Sequence, residues 1–324
     1  MVIDAKRETV AARHIGGLSV AQLGKMLDEA RGPSRSDSDT LIARADKLAN
    51  EGKQEEAAKQ YAAAIDAAPK NWPRLPRAAE ALVMALSLAG KDEECAARAE
   101  SLYKRLAGSP AGASVAGMGL GCAVELEGRE SLVAFFEKET RKQLESRDLD
   151  ISDDDRSGLY IALIEAREAA KDQEGSTALQ QEWVAFLESA AAKAASPEQR
   201  TVYDSHRLTA YLELGTPEKA IPMLEQSARD FPDDYNPHSR MALAYRAMKQ
   251  YDRALAASDR ALAMSYGPRK LGFLRTRVDI YMDMGNREAA RKTLENTIAY
   301  AKSLPKEQVR AATIAALEKK LSEF

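Results

Sequence analysis

The chain has 324 residues with 47 Lys and Arg against 50 Asp and Glu, a net charge of −3. That balance excludes a polybasic nucleic-acid or membrane-surface binder as the starting reading. At 45% apolar and 30% charged residues the composition is that of a folded chain, and the length fits two domains or one extended repeat array. The longest nearly apolar run, residues 81–89, is interrupted by Ser87 and closed by Gly90, well short of the roughly 20 residues that cross a bilayer. Residues 1–10 carry charges throughout and lack the apolar stretch of a secretory leader.

In chain order, residues 2–4 and 9–15 read as two short strands joined by a polar turn at 5–8. Ser19 then caps a helix through Leu23, Met26 and Leu27. The run from Gly16 to Leu27, Gly-x-Leu-Ser-x-x-Gln-Leu-x-x-x-Leu, resembles the closing hairpin and helix of a thioredoxin fold. The resemblance implies that residues 1–31 are the end of a thioredoxin-like domain whose CxxC motif and cis-proline would lie upstream of Met1. Residues 32–39 have the Gly, Pro and Ser content of a linker, which leaves 40–322 as a separate domain.

That domain shows internal repetition. With Ser38 as position 1, Ala45, Gly52, Ala57, Tyr61, Ala64 and Pro69 fall at positions 8, 15, 20, 24, 27 and 32. A second copy starts at Thr201 with Tyr211, Gly215, Ala220, Leu224 and Pro232. A third follows 34 residues later at Tyr235, with Ala242, Tyr245, Ala254 and Ala261, but Lys249 stands where Gly is expected. A fourth, near Leu271, carries Tyr281, Gly285, Ala290 and Leu294. Residues 76–107, 113–147 and 152–195 read as more divergent helix-turn-helix units, and Pro305 starts a last helix through Val309, Ile314 and Leu317. Small residues at 8, 20 and 27 let paired helices approach closely, and Gly at 15 ends the first helix of each pair.

The spacing resembles the tetratricopeptide repeat. It implies an all-α fold: an α-solenoid of about seven helix pairs with a polar capping helix at its C-terminus, preceded by the short hairpin and helix.

No motif carries chemistry. Gly117, Gly119 and Gly121 lie in a helical pattern with no strand before them, so close helix packing accounts for them better than phosphate binding. His14, His206 and His238 stand on separate elements without ligand spacing, and no metal or cofactor is expected. Asp153, Asp154 and Asp155 follow Ser152 at a helix start, where carboxylates meet the positive helix end. Cys95 and Cys122 form no CxxC and read as two small buried thiols, with neither a disulfide framework nor a zinc site.

What remains is surface. In tetratricopeptide arrays the first helix of each pair lines a groove, which here assigns Asn236, Ser239, Arg240, Leu243 and Arg246 in one repeat. The next repeat contributes Gly272, Arg275, Thr276, Asp279, Met282 and Asp283. Arg240, Arg246 and Arg275 would add cationic forks suited to an acidic or C-terminal peptide. The expected function is therefore a non-catalytic scaffold that binds a protein or peptide, with neither nucleic acid nor membrane as partner. The alternative is a truncated thiol-disulfide oxidoreductase whose repeats recruit clients. The compartment is open: cytoplasmic for the chain as given, periplasmic if a leader precedes it.

Overall fold

The computed structural model describes residues 2–4, 9–12, 20, 23, 24, 26, 27, 37–305, 308, 309 and 311–324. It divides into two compact units, Met1–Gln180 and Gln181–Phe324.

In the first unit, β1 (Val2–Asp4) and β2 (Thr9–Ala12) pair antiparallel, with Ile3 opposite Val10 and Asp4 opposite Thr9. The expected turn at 5–8, the Ser19 cap, His14 and residues 32–36 of the expected linker lie outside the described residues. Residues 20, 23, 24, 26 and 27 are helical, and helix α1 (Asp37–Asn50) begins inside the segment expected to be linker. Asp37 and Asp39 occupy its first turn, where the positive helix end favours carboxylates, so polar composition alone misplaced that boundary.

Helical hairpins follow: α1 with α2 (Gln54–Asp66), α3 (Leu75–Leu88) with α4 (Asp92–Leu106), and α5 (Pro110–Val124) with α6 (Glu130–Glu145). α7 (Asp153–Ala169) leads into α8 (Gln173–Ala192), within which the division between the units falls. The second unit holds the short α9 (Pro197–Thr201), then α10 (Asp204–Glu213) with α11 (Ala220–Asp230), and α12 (Tyr235–Ala247) with α13 (Tyr251–Met264). α14 (Arg269–Asp283) pairs with α15 (Arg287–Ser303), and α16 (Ala311–Ser322) closes the stack. Val309, expected within that last helix, precedes it, yet both Val309 and Leu317 are buried on the core of α14 and α15.

The turns explain the repeat spacing. After α10 the Gly215 N–H reaches Leu212 O at 3.0 Å, and the Thr216 N–H reaches back to Tyr211 O at 2.8 Å. This reciprocal pair satisfies carbonyls that the helix end would leave unbonded, and it needs a left-handed residue. Gly215 supplies it with φ 68°. Lys249 adopts the same conformation, φ 57°, and its turn closes identically through Gln250 N–H to Tyr245 O at 2.9 Å. The repeat geometry thus overrides a side chain that disfavours it.

Position 20 is where paired helices come closest: Ala57, Ala220, Ala254 and Ala290 are all fully buried. Cys95 occupies that position in the second hairpin and is equally buried. Contrary to the expectation of free thiols, it forms a disulfide with Cys122 of α5, with Cα atoms 6.0 Å apart. α5 is covered nearly all round by α3, α4, α6 and α7, which is why its sequence lacks a polar face. A Cβ on Gly119 would meet Phe136 Cε1 at 2.6 Å and Ala99 Cβ at 2.7 Å, so this glycine serves close packing. Ser152 caps α7 by accepting from the Asp155 N–H at 3.1 Å, and the Asp155 carboxylate takes the Ser152 hydroxyl at 2.7 Å.

Candidate functional site

The first helices of two successive hairpins, α12 and α14, meet the second helix α13 around a cavity of about 230 Å³. Four of the residues assigned to the groove from repeat position converge on it: Ser239 and Leu243 from α12, Gly272 and Thr276 from α14. Their convergence follows from helical period, since residues three and four apart share a face. Ala242 and Ala261 form an apolar floor, and their small side chains are what leave the space. The Ser258 hydroxyl lines the same cavity, buried and without a hydrogen-bond partner.

Sequence position missed Arg269, Phe273 and Ser258, all of which line the cavity. Arg269, Gly272, Phe273 and Thr276 form an i, i+3, i+4, i+7 stripe, so the first two were legible as one helix face. Ser258 was not, because it comes from the second helix of its hairpin. The Phe273 ring stands 5.3 Å from that of Tyr235, which fixes one wall.

The cations assigned to the groove differ in their surroundings. Arg246 donates from Nε to Asp283 at 2.6 Å and lies 3.8 Å from Asp279, so two carboxylates of α14 already face it. Asn236 Nδ2 is held by Asp234 at 2.7 Å. Arg240 is partly buried; burial lowers its proton affinity, while Asp204 and Asp234 raise it and Arg269 lowers it further. Arg275 and Arg269 are exposed, and neither has a carboxylate partner among the described residues. Arg269 and Arg275 are therefore the exposed cations of α14 without a carboxylate bridge among the described residues, and Arg246 is paired within the protein.

Among the described residues no group of three His, Cys, Asp or Glu side chains could hold a metal ion, and no helix is long and apolar enough to cross a membrane. His206 sits 6.2 Å, ring to ring, from Trp183, and His238 is buried on α12, away from the cavity lining.

No protein-family profile matches the chain, and no curated protein matches it. Solved structures with similarity include a tetratricopeptide repeat protein from Parabacteroides merdae, 13% identical over 88% of this chain and 98% of that one, with a TM-score of 0.49. Another is a TPR protein of Thermus thermophilus, 15% identical over 89% of this chain and 100% of that one, TM-score 0.32. A third is the TPR2AB domain of yeast Sti1 in a pHSP90 complex, 14% identical over 88% of this chain and 98% of that one, TM-score 0.32.

Proposed function

We propose that the chain is a non-catalytic, tetratricopeptide-type scaffold that binds a segment of another protein across α12 and α14. The observation that carries this reading is the convergence of Ser239, Leu243, Gly272 and Thr276 on one cavity. Its volume suits one bulky apolar side chain and not a drug-sized ligand, whose pockets run to about 300–1,000 Å³. An apolar anchor there would lie beside Arg269, which lines the cavity and favours a carboxylate nearby in the bound segment. The chain's two cysteines are joined to each other and are 0% and 2% exposed, so neither offers a thiolate to a client.

Gly272 provides the test. It is exposed, and a Cβ there would meet nothing within 4 Å, so Gly272→Trp fills the cavity without straining the helix. Peptides selected from a random library on the wild-type chain should bind that variant at least tenfold more weakly. Gly158→Trp, at an exposed and equally open glycine in the other unit, should leave binding unchanged. Equal affinity for wild type and Gly272→Trp would place peptide binding elsewhere.

A further inference from the structure

A second pocket, of about 420 Å³, opens on another face of α12, between α11 and α13. Met241, Tyr245 and Ala257 make its apolar floor, and Arg229, Arg253 and Arg260 stand around it with Glu225 as the one carboxylate in the lining. Arg200, Arg246, Arg277 and Arg291 are each bridged to an Asp or Glu. Among the described residues none of the three pocket arginines has such a bridge. Arg229 donates to Gln226 Oε1 at 2.8 Å, Arg253 to Gln250 Oε1 at 2.9 Å, and the Arg253 guanidinium lies 4.3 Å over the Tyr245 ring. Neutral partners and a ring face orient Arg229 and Arg253 without a carboxylate bridge to either.

His238 lines the same pocket, 8% exposed, and its Nδ1 has no hydrogen-bond partner. Burial, and then the Arg260 charge, push its proton affinity down, against a smaller upward pull from Asp234. Near neutral pH the imidazole is therefore uncharged. Three arginines against one glutamate leave a net charge of about +2 around an apolar floor, which matches a dianion carried on an apolar body.

We propose that this pocket binds a small phosphate monoester, with Arg229, Arg253 and Arg260 around the phosphoryl oxygens and the organic group on Met241 and Tyr245. Planar guanidinium forks match phosphate bidentately, and the aromatic floor excludes water from one side of the contact. The site is separate from the peptide groove, so each can fail without the other.

Calorimetric titration of the full chain with phenyl phosphate, benzoate and inorganic phosphate tests the assignment. Phenyl phosphate should bind at least tenfold more tightly than benzoate, which carries one charge fewer, and than inorganic phosphate, which lacks the apolar body. Arg253→Gln and Arg260→Gln, both at exposed positions, should each weaken phenyl phosphate at least tenfold with an unchanged circular dichroism spectrum. Gly272→Trp should leave phenyl phosphate binding as it is. Absence of binding, preference for benzoate, insensitivity to both arginine substitutions, or loss of binding in Gly272→Trp would each overturn the proposal.

Discussion

Arg246 on α12 and Asp283 on α14 are joined at 2.6 Å, tying the first helices of two successive hairpins across the groove they line. Both side chains are about a third exposed, 31% and 38%, so solvent screens the pair and its contribution to stability is about 0.2–1 kcal/mol. Arg246→Ala should shift the urea midpoint only within that range. Its larger consequence is electrostatic: Asp279 and Asp283 lose a shared cation. Acidic peptides should then bind more weakly, measurable by anisotropy at low salt, and the difference should shrink as salt is raised.

The Cys95–Cys122 bond closes a loop of 27 residues between α4 and α5. On the chain-entropy account a loop of that length stabilises by about 3–4 kcal/mol. The double variant Cys95→Ala, Cys122→Ala should lose that amount in urea unfolding, and the wild-type chain should resist reduction until it is unfolded, since both sulfurs are buried. Equal midpoints for oxidised and reduced chain would show that the bond carries no stability.

Glu80 on α3 gives the fold a pH dependence of definite sign. Burial pushes its carboxyl up to about 7, with Asp155 adding to the rise and the Ser114 hydroxyl and Arg77 opposing it. Between the unfolded value of 4.5 and about 7, the native state holds the proton more tightly than the unfolded chain. The contribution is therefore fully present below pH 4.5, is lost as pH rises through 7, and is flat above. Glu80→Gln keeps the shape without the charge. Near pH 8 it should be more stable than wild type, by on the order of 3 kcal/mol, and its stability between pH 5 and 7 should be flatter. Parallel stability-pH curves for the two would contradict the assignment.

Lys249, like Lys171, carries a left-handed backbone where four other turns of the same geometry use Gly52, Gly90, Gly215 and Gly285. A non-glycine residue there costs about 1 kcal/mol. Lys249→Gly lies beyond the end of α12, so no helix propensity is lost. It should raise the urea midpoint by the equivalent of about 0.5–1 kcal/mol; a lower midpoint would mean that the lysine side chain makes a stabilising contact.

The hairpins of the second unit were legible because they rest on local rules: glycine at a left-handed turn, alanine where helices touch, tyrosine whose carbonyl closes the turn. Each is a property of one residue at one spacing. The disulfide was not legible, because Cys95 and Cys122 belong to different hairpins and only the packing of α4 on α5 brings them together. The lining of the cavity was half legible. The tetratricopeptide resemblance named Ser239, Leu243, Gly272 and Thr276, which line the cavity, but the pairing of Arg246 with Asp283 depends on the separation of α12 and α14, which no single repeat encodes. The start of α1 was misjudged because Ser and Asp favour linkers and helix starts alike.

On the proposed function, a partner segment enters the cavity between α12 and α14. Photo-crosslinking tests it most directly, with a benzophenone-bearing residue in place of Thr276 at the cavity or of Gly158 in the other unit. A library-selected peptide should be captured at Thr276 and not at Gly158, with the captured peptide residue being its bulky apolar anchor. Capture at Gly158 alone, or at neither position while affinity is retained, would contradict the account.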